Sequence, residues 1–178
     1  MKYMAPVKQE IKKKIGILGG TFDPPHKGHI KISKEAKNRF GIEKIIWAIT
    51  KKNPFKSESN LSLKKRIQYA KKINYKNSFI KVRYFEDKIK SNRSIDLVKY
   101  IKKKNKNSEI FFIMGADSLI NFHKWKKSKS ILSICKILVF DRDRYRAKSI
   151  RSVSFKQKGI EFVKFNKVNI SSSKLRKI

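Results

Sequence analysis

The stretch Gly19-Gly20-Thr21-Phe22-Asp23-Pro24-Pro25-His26-Lys27-Gly28-His29 constrains this chain more than any other. It follows a short apolar run, 15–18, and opens a segment with helical spacing at Ile30, Ile32, Ala36 and Phe40. A strand that feeds a glycine-rich turn and then a helix brings backbone N–H groups and the positive end of the helix dipole toward one anion, usually a phosphate. His26 and His29 stand at the mouth of that helix, with Gly28 between them allowing close approach. Imidazoles so placed can donate hydrogen bonds to phosphate oxygens and stabilise the charge that develops in phosphoryl transfer.

The rest of the chain alternates in the same way. Apolar runs predict strands over 14–18, 44–49, 79–84, 109–114 and 136–140. Helical stripes fall at about 26–40, ended by Gly41, at 61–73, capped by Ser62, from Ser94 onward, through Leu119 and Ile120, and over 128–134. Residues 50–60 carry Pro, Asn and Ser without periodicity and read as a loop at the carboxyl end of the second strand, the edge where open sheets bind ligands. Residues 85–93 read as a polar connection, and 159–165 as a further strand. The segment Ile170-Ser171-Ser172-Ser173-Lys174-Leu175-Arg176 reads as a serine-capped helix start with two basic side chains, a second phosphate site. Strands alternating with helices predict a single α/β domain over 14–178, a Rossmann-like doubly wound sheet of mainly parallel strands with helices on both faces. Residues 1–13 are expected to be a flexible basic lead-in; lacking an apolar core, they do not read as a secretory signal.

Lys and Arg number 47 against 13 Asp and Glu, a formal charge of +34. Such a field attracts polyanions. Lysines, however, are spread along the whole sequence with Ile and Asn instead of being gathered into a face or tail, so they read as filler of solvated surface and no specific nucleic acid is expected. The lone Cys135 lies in an apolar run and reads as a buried core residue in a reducing cytoplasm. No apolar stretch is long enough to span a bilayer, so no membrane association is expected.

The glycine turn is neither a dinucleotide fingerprint nor a P-loop. The histidine pair lacks the nearby Cys, His or acidic partners that zinc requires, since His123 and Cys135 are remote in sequence. Residues 19–29 do resemble the G-G-[ST]-F-D-P-[PV]-H-x-G-H signature of the nucleotidyltransferase α/β phosphodiesterase superfamily. Three further motifs resemble its bacterial nicotinate-nucleotide adenylyltransferase branch. These are Asn53-Pro54-Phe55-Lys56, then Gly115-Ala116-Asp117-Ser118 with Phe122-His123-x-Trp125, and residues 170–176. The family's Y-T-x-D-T-L segment is altered, standing here as Arg93-Ser94-Ile95-Asp96-Leu97-Val98, and its R-P-G is Arg142-Asp143-Arg144.

That resemblance implies adenylyl transfer from ATP to nicotinate mononucleotide, giving nicotinate adenine dinucleotide and pyrophosphate in NAD biosynthesis. It implies His26 and His29 as the catalytic pair on the ATP phosphates. Gly19, Gly20, Thr21, Phe22, Asp117, Ser172, Ser173 and Arg176 complete the ATP site. Thr21, Phe22, Asp23, Lys56, Ser94 and Trp125 would hold the mononucleotide, with Trp125 stacked on the pyridine ring. Asp117 has an alternative as a helix cap, and His123 has no assigned role. Mg²⁺ would arrive bound to ATP, with no protein ligands of its own. A phosphate monoester with a second pKa of about 6 needs no general base at neutral pH, and the sequence presents none. Alternatives are a sibling acting on nicotinamide mononucleotide or phosphopantetheine, or a basic nucleic-acid-binding protein on a relic of the fold. A homo-oligomer is left open.

Overall fold

A computed structural model describes residues 12–54, 58–141 and 145–164. Six strands form one sheet: β1 (Lys14–Gly20), β2 (Lys44–Ile49), β3 (Ile80–Tyr84), β4 (Glu109–Gly115), β5 (Lys136–Phe140) and β6 (Ile160–Val163). Their order is β3-β2-β1-β4-β5-β6, and every neighbouring pair is parallel. The chain therefore starts in the middle, winds outward to β3, then crosses back to β4. The point where the winding reverses lies between β1 and β4, at whose carboxyl ends ligands bind in folds of this kind.

The strands read as continuous apolar runs because both faces are covered. Ile46, Phe112, Met114, Ile137 and Val139 face one core layer. Their sequence neighbours Ile45, Trp47, Phe111, Ile113 and Leu138 face the other. Helices α1 (Lys27–Phe40) and α2 (Leu63–Ile73) cover the second layer, through Ile32, Ala36 and Ala70. The first is covered by α4 (Ser94–Lys104), α5 (Ala116–Ile120) and α6 (Ser128–Ile134), through Ile95, Val98, Leu119 and Ile131. Gly41 ends α1 at φ 66°, the left-handed conformation that a residue without Cβ adopts at little cost. Ser62 caps α2 by accepting from the Lys65 N–H at 3.3 Å.

The structure corrects several sequence expectations. Strand β1 runs through both glycines to Gly20, which pair with Ala48 and Ile49, so the turn proper begins at Thr21. Helix α1 starts at Lys27 with His26 as its N-cap, and α2 starts at Leu63. The connection 85–93 contains a short helix, α3 (Glu86–Ile89), whose acidic first turn suits the dipole. A second short helix, α7 (Arg146–Ile150), follows β5. Neither is long enough to show a periodic stripe. Strand β6 is shorter than 159–165, and residue 165 lies outside the described residues. Most of the basic lead-in, 1–11, and the helix start at 170–176 also lie outside them.

Candidate active site

The two histidines are locked into the helix terminus that they cap. The Gly28 N–H donates to His26 Nδ1 at 3.1 Å, and the His26 N–H donates to His29 Nδ1 at 3.2 Å. A backbone N–H can only donate, so both Nδ1 atoms are unprotonated and each neutral ring carries its proton on Nε2. The ring centroids are 3.9 Å apart. His26 is buried and His29 half-buried.

Three aromatic contacts hold His29 in place. Phe22, buried with φ 51°, packs against its ring at 4.7 Å and stacks on Trp47 at 4.9 Å. Trp47 meets His29 edge-on at 5.7 Å. The Trp47 indole N–H donates to Ser33 Oγ at 2.9 Å, and that hydroxyl donates to the His29 carbonyl at 2.9 Å. This support depends on how β2 packs beneath α1, which local sequence does not reveal.

At the carboxyl end of β1 opens a cavity of about 260 Å³, which neither histidine lines. Gly19 and Gly20 form part of its wall, together with Thr50, Asn53, Pro54, Glu86, Ser94, Phe112, Ser118 and Trp125. A Cβ on Gly19 would lie 3.3 Å from the Phe112 ring, so glycine keeps this edge of the sheet open. Trp125 is half-buried and braced edge-on by Phe112 at 5.8 Å and Phe122 at 5.4 Å, leaving a flat aromatic wall on the cavity. Gly19, Gly20, Ser94 and Trp125, far apart in sequence, are thus brought to one place. Thr21 is half-buried in the turn between the cavity and the histidines.

Asp23, expected to touch the mononucleotide, is fully buried; its carboxylate accepts from the Asn60 N–H at 2.7 Å and the Leu61 N–H at 3.0 Å, so it braces a loop. Gly115, not Asp117, is the N-cap residue of α5. Asp117 is half-buried in its first turn. The His123 N–H donates to Ser154 Oγ at 3.0 Å, tying the turn that carries Trp125 to the segment after α7. Lys56, Ser172, Ser173 and Arg176 lie outside the described residues. Among the described residues no three His, Cys, Asp or Glu side chains gather as a metal site.

Two residues of the site have no counterpart in the motifs. Arg66 is 2% exposed and donates to four backbone carbonyls around the cradle. Burial pushes its pKa down, opposed by the charges of Asp23 and Glu86. Glu86, on the cavity wall, accepts from the Lys51 N–H at 3.2 Å, and burial raises its pKa. A spacing signal existed for Arg66, which falls on the inward stripe of α2 with Leu63, Ile67 and Ala70. Glu86 carries no such signal.

The first strand of this doubly wound parallel sheet delivers a histidine-capped helix, and the match of residues 17–178 to the cytidylyltransferase-like family makes the chain a nucleotidyltransferase. Within that class the chain belongs to the nicotinate-nucleotide adenylyltransferases. It is 59% identical over 170 residues to a probable nicotinate-nucleotide adenylyltransferase of Pelagibacter ubique, covering 94% of both chains. It is 35% identical to the corresponding protein of Rhizobium meliloti, over 72% of this chain and 68% of that one. Among solved structures it resembles the Plasmodium falciparum nicotinic acid mononucleotide adenylyltransferase, complexed in one case with APC and in another with NaAD. The TM-score is 0.72 at 21% identity, covering 93% of this chain and 83% of that one. At that identity the structural match speaks for the fold.

Proposed function

We infer that the protein is an adenylyltransferase that joins nicotinate mononucleotide to the adenylyl group of ATP, releasing pyrophosphate and forming nicotinate adenine dinucleotide. The observation that carries this reading is the cavity that joins Gly19 and Gly20, the end of the phosphate cradle, to the aromatic wall of Trp125. A phosphate cradle alone would suit any nucleotidyltransferase. A braced tryptophan within the same cavity suits an acceptor whose flat ring lies a short distance from its phosphate.

The chemistry follows from what these groups can do. The acceptor phosphate is already largely dianionic near neutral pH, its second pKa being about 6, so it can attack the α-phosphorus of ATP without a base. The remaining demands are to bring two anions together in line and to stabilise charge on the departing pyrophosphate. The Nε2–H tautomers of His26 and His29 supply donors for the ATP phosphates, and the α1 terminus adds its partial positive charge. The Thr21 and Phe22 N–H groups serve the reacting phosphate, while Asp117 faces the adenosine side. Lys56, Ser172, Ser173 and Arg176 are assigned phosphate contacts from the family motifs. Ser94 and Trp125 hold the pyridine mononucleotide. Magnesium bound to ATP would supply charge neutralisation at the phosphates as part of the substrate. The high positive charge speeds the arrival of both anionic substrates. The setting is the cytoplasm.

The test is magnesium-dependent pyrophosphate release from ATP with nicotinate mononucleotide, nicotinamide mononucleotide or phosphopantetheine as acceptor. Release with nicotinate mononucleotide above the others is expected. Release with phosphopantetheine alone would move the protein to a sibling activity.

A further inference from the structure

We propose that Arg66 is a positioning residue for adenylyl transfer, aiming the Phe22 N–H and the floor of the cavity through backbone carbonyls without itself touching substrate. The proposal rests on the adenylyl-transfer reading above.

The Arg66 Nη1 donates to the carbonyls of Thr21 at 2.6 Å and Thr50 at 2.7 Å, Nη2 to Lys51 at 3.1 Å, and Nε to Leu61 at 3.0 Å. One rigid planar group therefore grips the residues that follow β1, those that follow β2, and the loop at 58–61. The Thr21 carbonyl and the Phe22 N–H belong to the same trans peptide plane and point in opposite directions. Fixing the carbonyl on Arg66 therefore aims the N–H away from α2, which is the N–H assigned to the reacting phosphate. Phe22 sits at φ 51°, a region that non-glycine residues seldom occupy, so this peptide needs outside restraint to keep its orientation.

The second peptide held in this way joins Thr50 to Lys51. Its carbonyl accepts from Arg66 and its N–H donates to Glu86 Oε1 at 3.2 Å, while the Thr50 N–H donates to the Gly20 carbonyl at 2.9 Å. Gly20, Thr50 and Glu86 all line the cavity, and Arg66 does not. Asp23 completes the clasp from the other side. It takes the Leu61 N–H while Arg66 takes the Leu61 carbonyl. A buried cation is tolerable here because each guanidinium nitrogen meets an acceptor and the Asp23 carboxylate lies near. Lysine could not substitute, since an ammonium on a flexible stem lacks the planar fork that reaches several carbonyls at once.

The experiment compares wild type, Arg66→Lys and Arg66→Ala by steady-state kinetics and thermal melting, with and without millimolar guanidinium ion. Arg66→Lys should remain folded with kcat lowered on the order of 10²-fold while both KM values change little, as a displacement of about 1 Å at a reacting centre produces. In Arg66→Ala, guanidinium ion should restore part of kcat and methylammonium should not. Wild-type kcat in Arg66→Lys would overturn the proposal. So would losses in both variants that track the loss of folded protein and resist rescue. If Arg66→Ala does not fold, Arg66→Lys alone decides. Failure of the wild type with nicotinate mononucleotide would strike the underlying reading. The same variants would then be assayed with whichever phosphorylated acceptor supports pyrophosphate release, and the proposal would stand or fall there.

Discussion

His26 and His29 cap one another: His26 Nδ1 closes the first turn of α1 through the Gly28 N–H, and His29 Nδ1 accepts the His26 N–H. Each ring thereby commits its Nδ1 to the helix terminus, and the adenylyl-transfer reading gives its Nε2 to the ATP phosphates. On that reading structure and catalysis fall to two atoms of a single side chain, which makes them separable by substitution.

His29→Asn leaves an amide oxygen near the former Nδ1 and removes the group at Nε2. It should melt close to wild type while kcat falls by a factor on the order of 10² or more. His29→Gln places its amide nearer Nε2 and abandons the cap, so it should keep more activity and lose on the order of 1 kcal/mol of stability. Initial rates beside thermal melts of both variants decide the matter. Wild-type kcat in His29→Asn would show that the ring acts only as a capping element.

Trp125 contributes a flat wall whose partners, Phe112 and Phe122, lie behind it. Trp125→Ala should therefore weaken the mononucleotide and spare ATP. Stacking on an aromatic side chain is worth about 1–3 kcal/mol, so KM for nicotinate mononucleotide should rise between about fivefold and 150-fold. A rise of similar size in KM for ATP would place Trp125 elsewhere in the site.

The sheet was legible because strands buried on both faces leave long apolar runs, and K-I-I-W-A-I and K-I-L-V-F become β2 and β5 without adjustment. Caps such as Ser62 and Gly41 were legible because their chemistry is local. The supports of the site were not. Trp47 is the fourth residue of an apolar strand, and only the packing of α1 over β2 brings it against His29 and Phe22. Arg66 stands in K-K-R-I-Q-Y among many cations, where composition favours a solvated side chain, though its place on the inward stripe argues otherwise. Asp23 belongs to the signature itself, yet it acts through N–H groups of residues 60 and 61, a pairing that no local spacing encodes.

Gly16 tests the tightness of the core beneath the cradle. A Cβ there would lie 3.0 Å from Ile113 Cδ1 and 3.1 Å from Ile45 Cγ1, both buried in the centre of the sheet. Gly16→Ala should destabilise by about 1–3 kcal/mol through overpacking. The activity of the folded fraction should be nearly preserved, because residue 16 lies three residues back along β1 from Gly19 at the cavity edge, and does not itself line the cavity. Urea unfolding followed by rate measurement well below the transition separates the two effects.

Glu86 offers a test by pH. Burial is the leading cause that raises its pKa, ahead of the Lys51 N–H that lowers it. The folded protein therefore holds this proton more tightly than the unfolded chain does, and stability falls as pH rises from the ordinary carboxylate value through the raised folded one. Above that window the charged carboxylate is a net burden on the fold. Glu86→Gln keeps an acceptor for the Lys51 N–H and removes the charge, so it should melt above wild type near neutral pH. The advantage should shrink as the solution is acidified below the carboxylate range, at about pH 4, where wild type carries the proton in both states. A difference in melting temperature that stayed constant over this range would mean that the Glu86 charge is compensated inside the fold, by the Lys51 N–H first, then by the charges of Lys51 and Arg66.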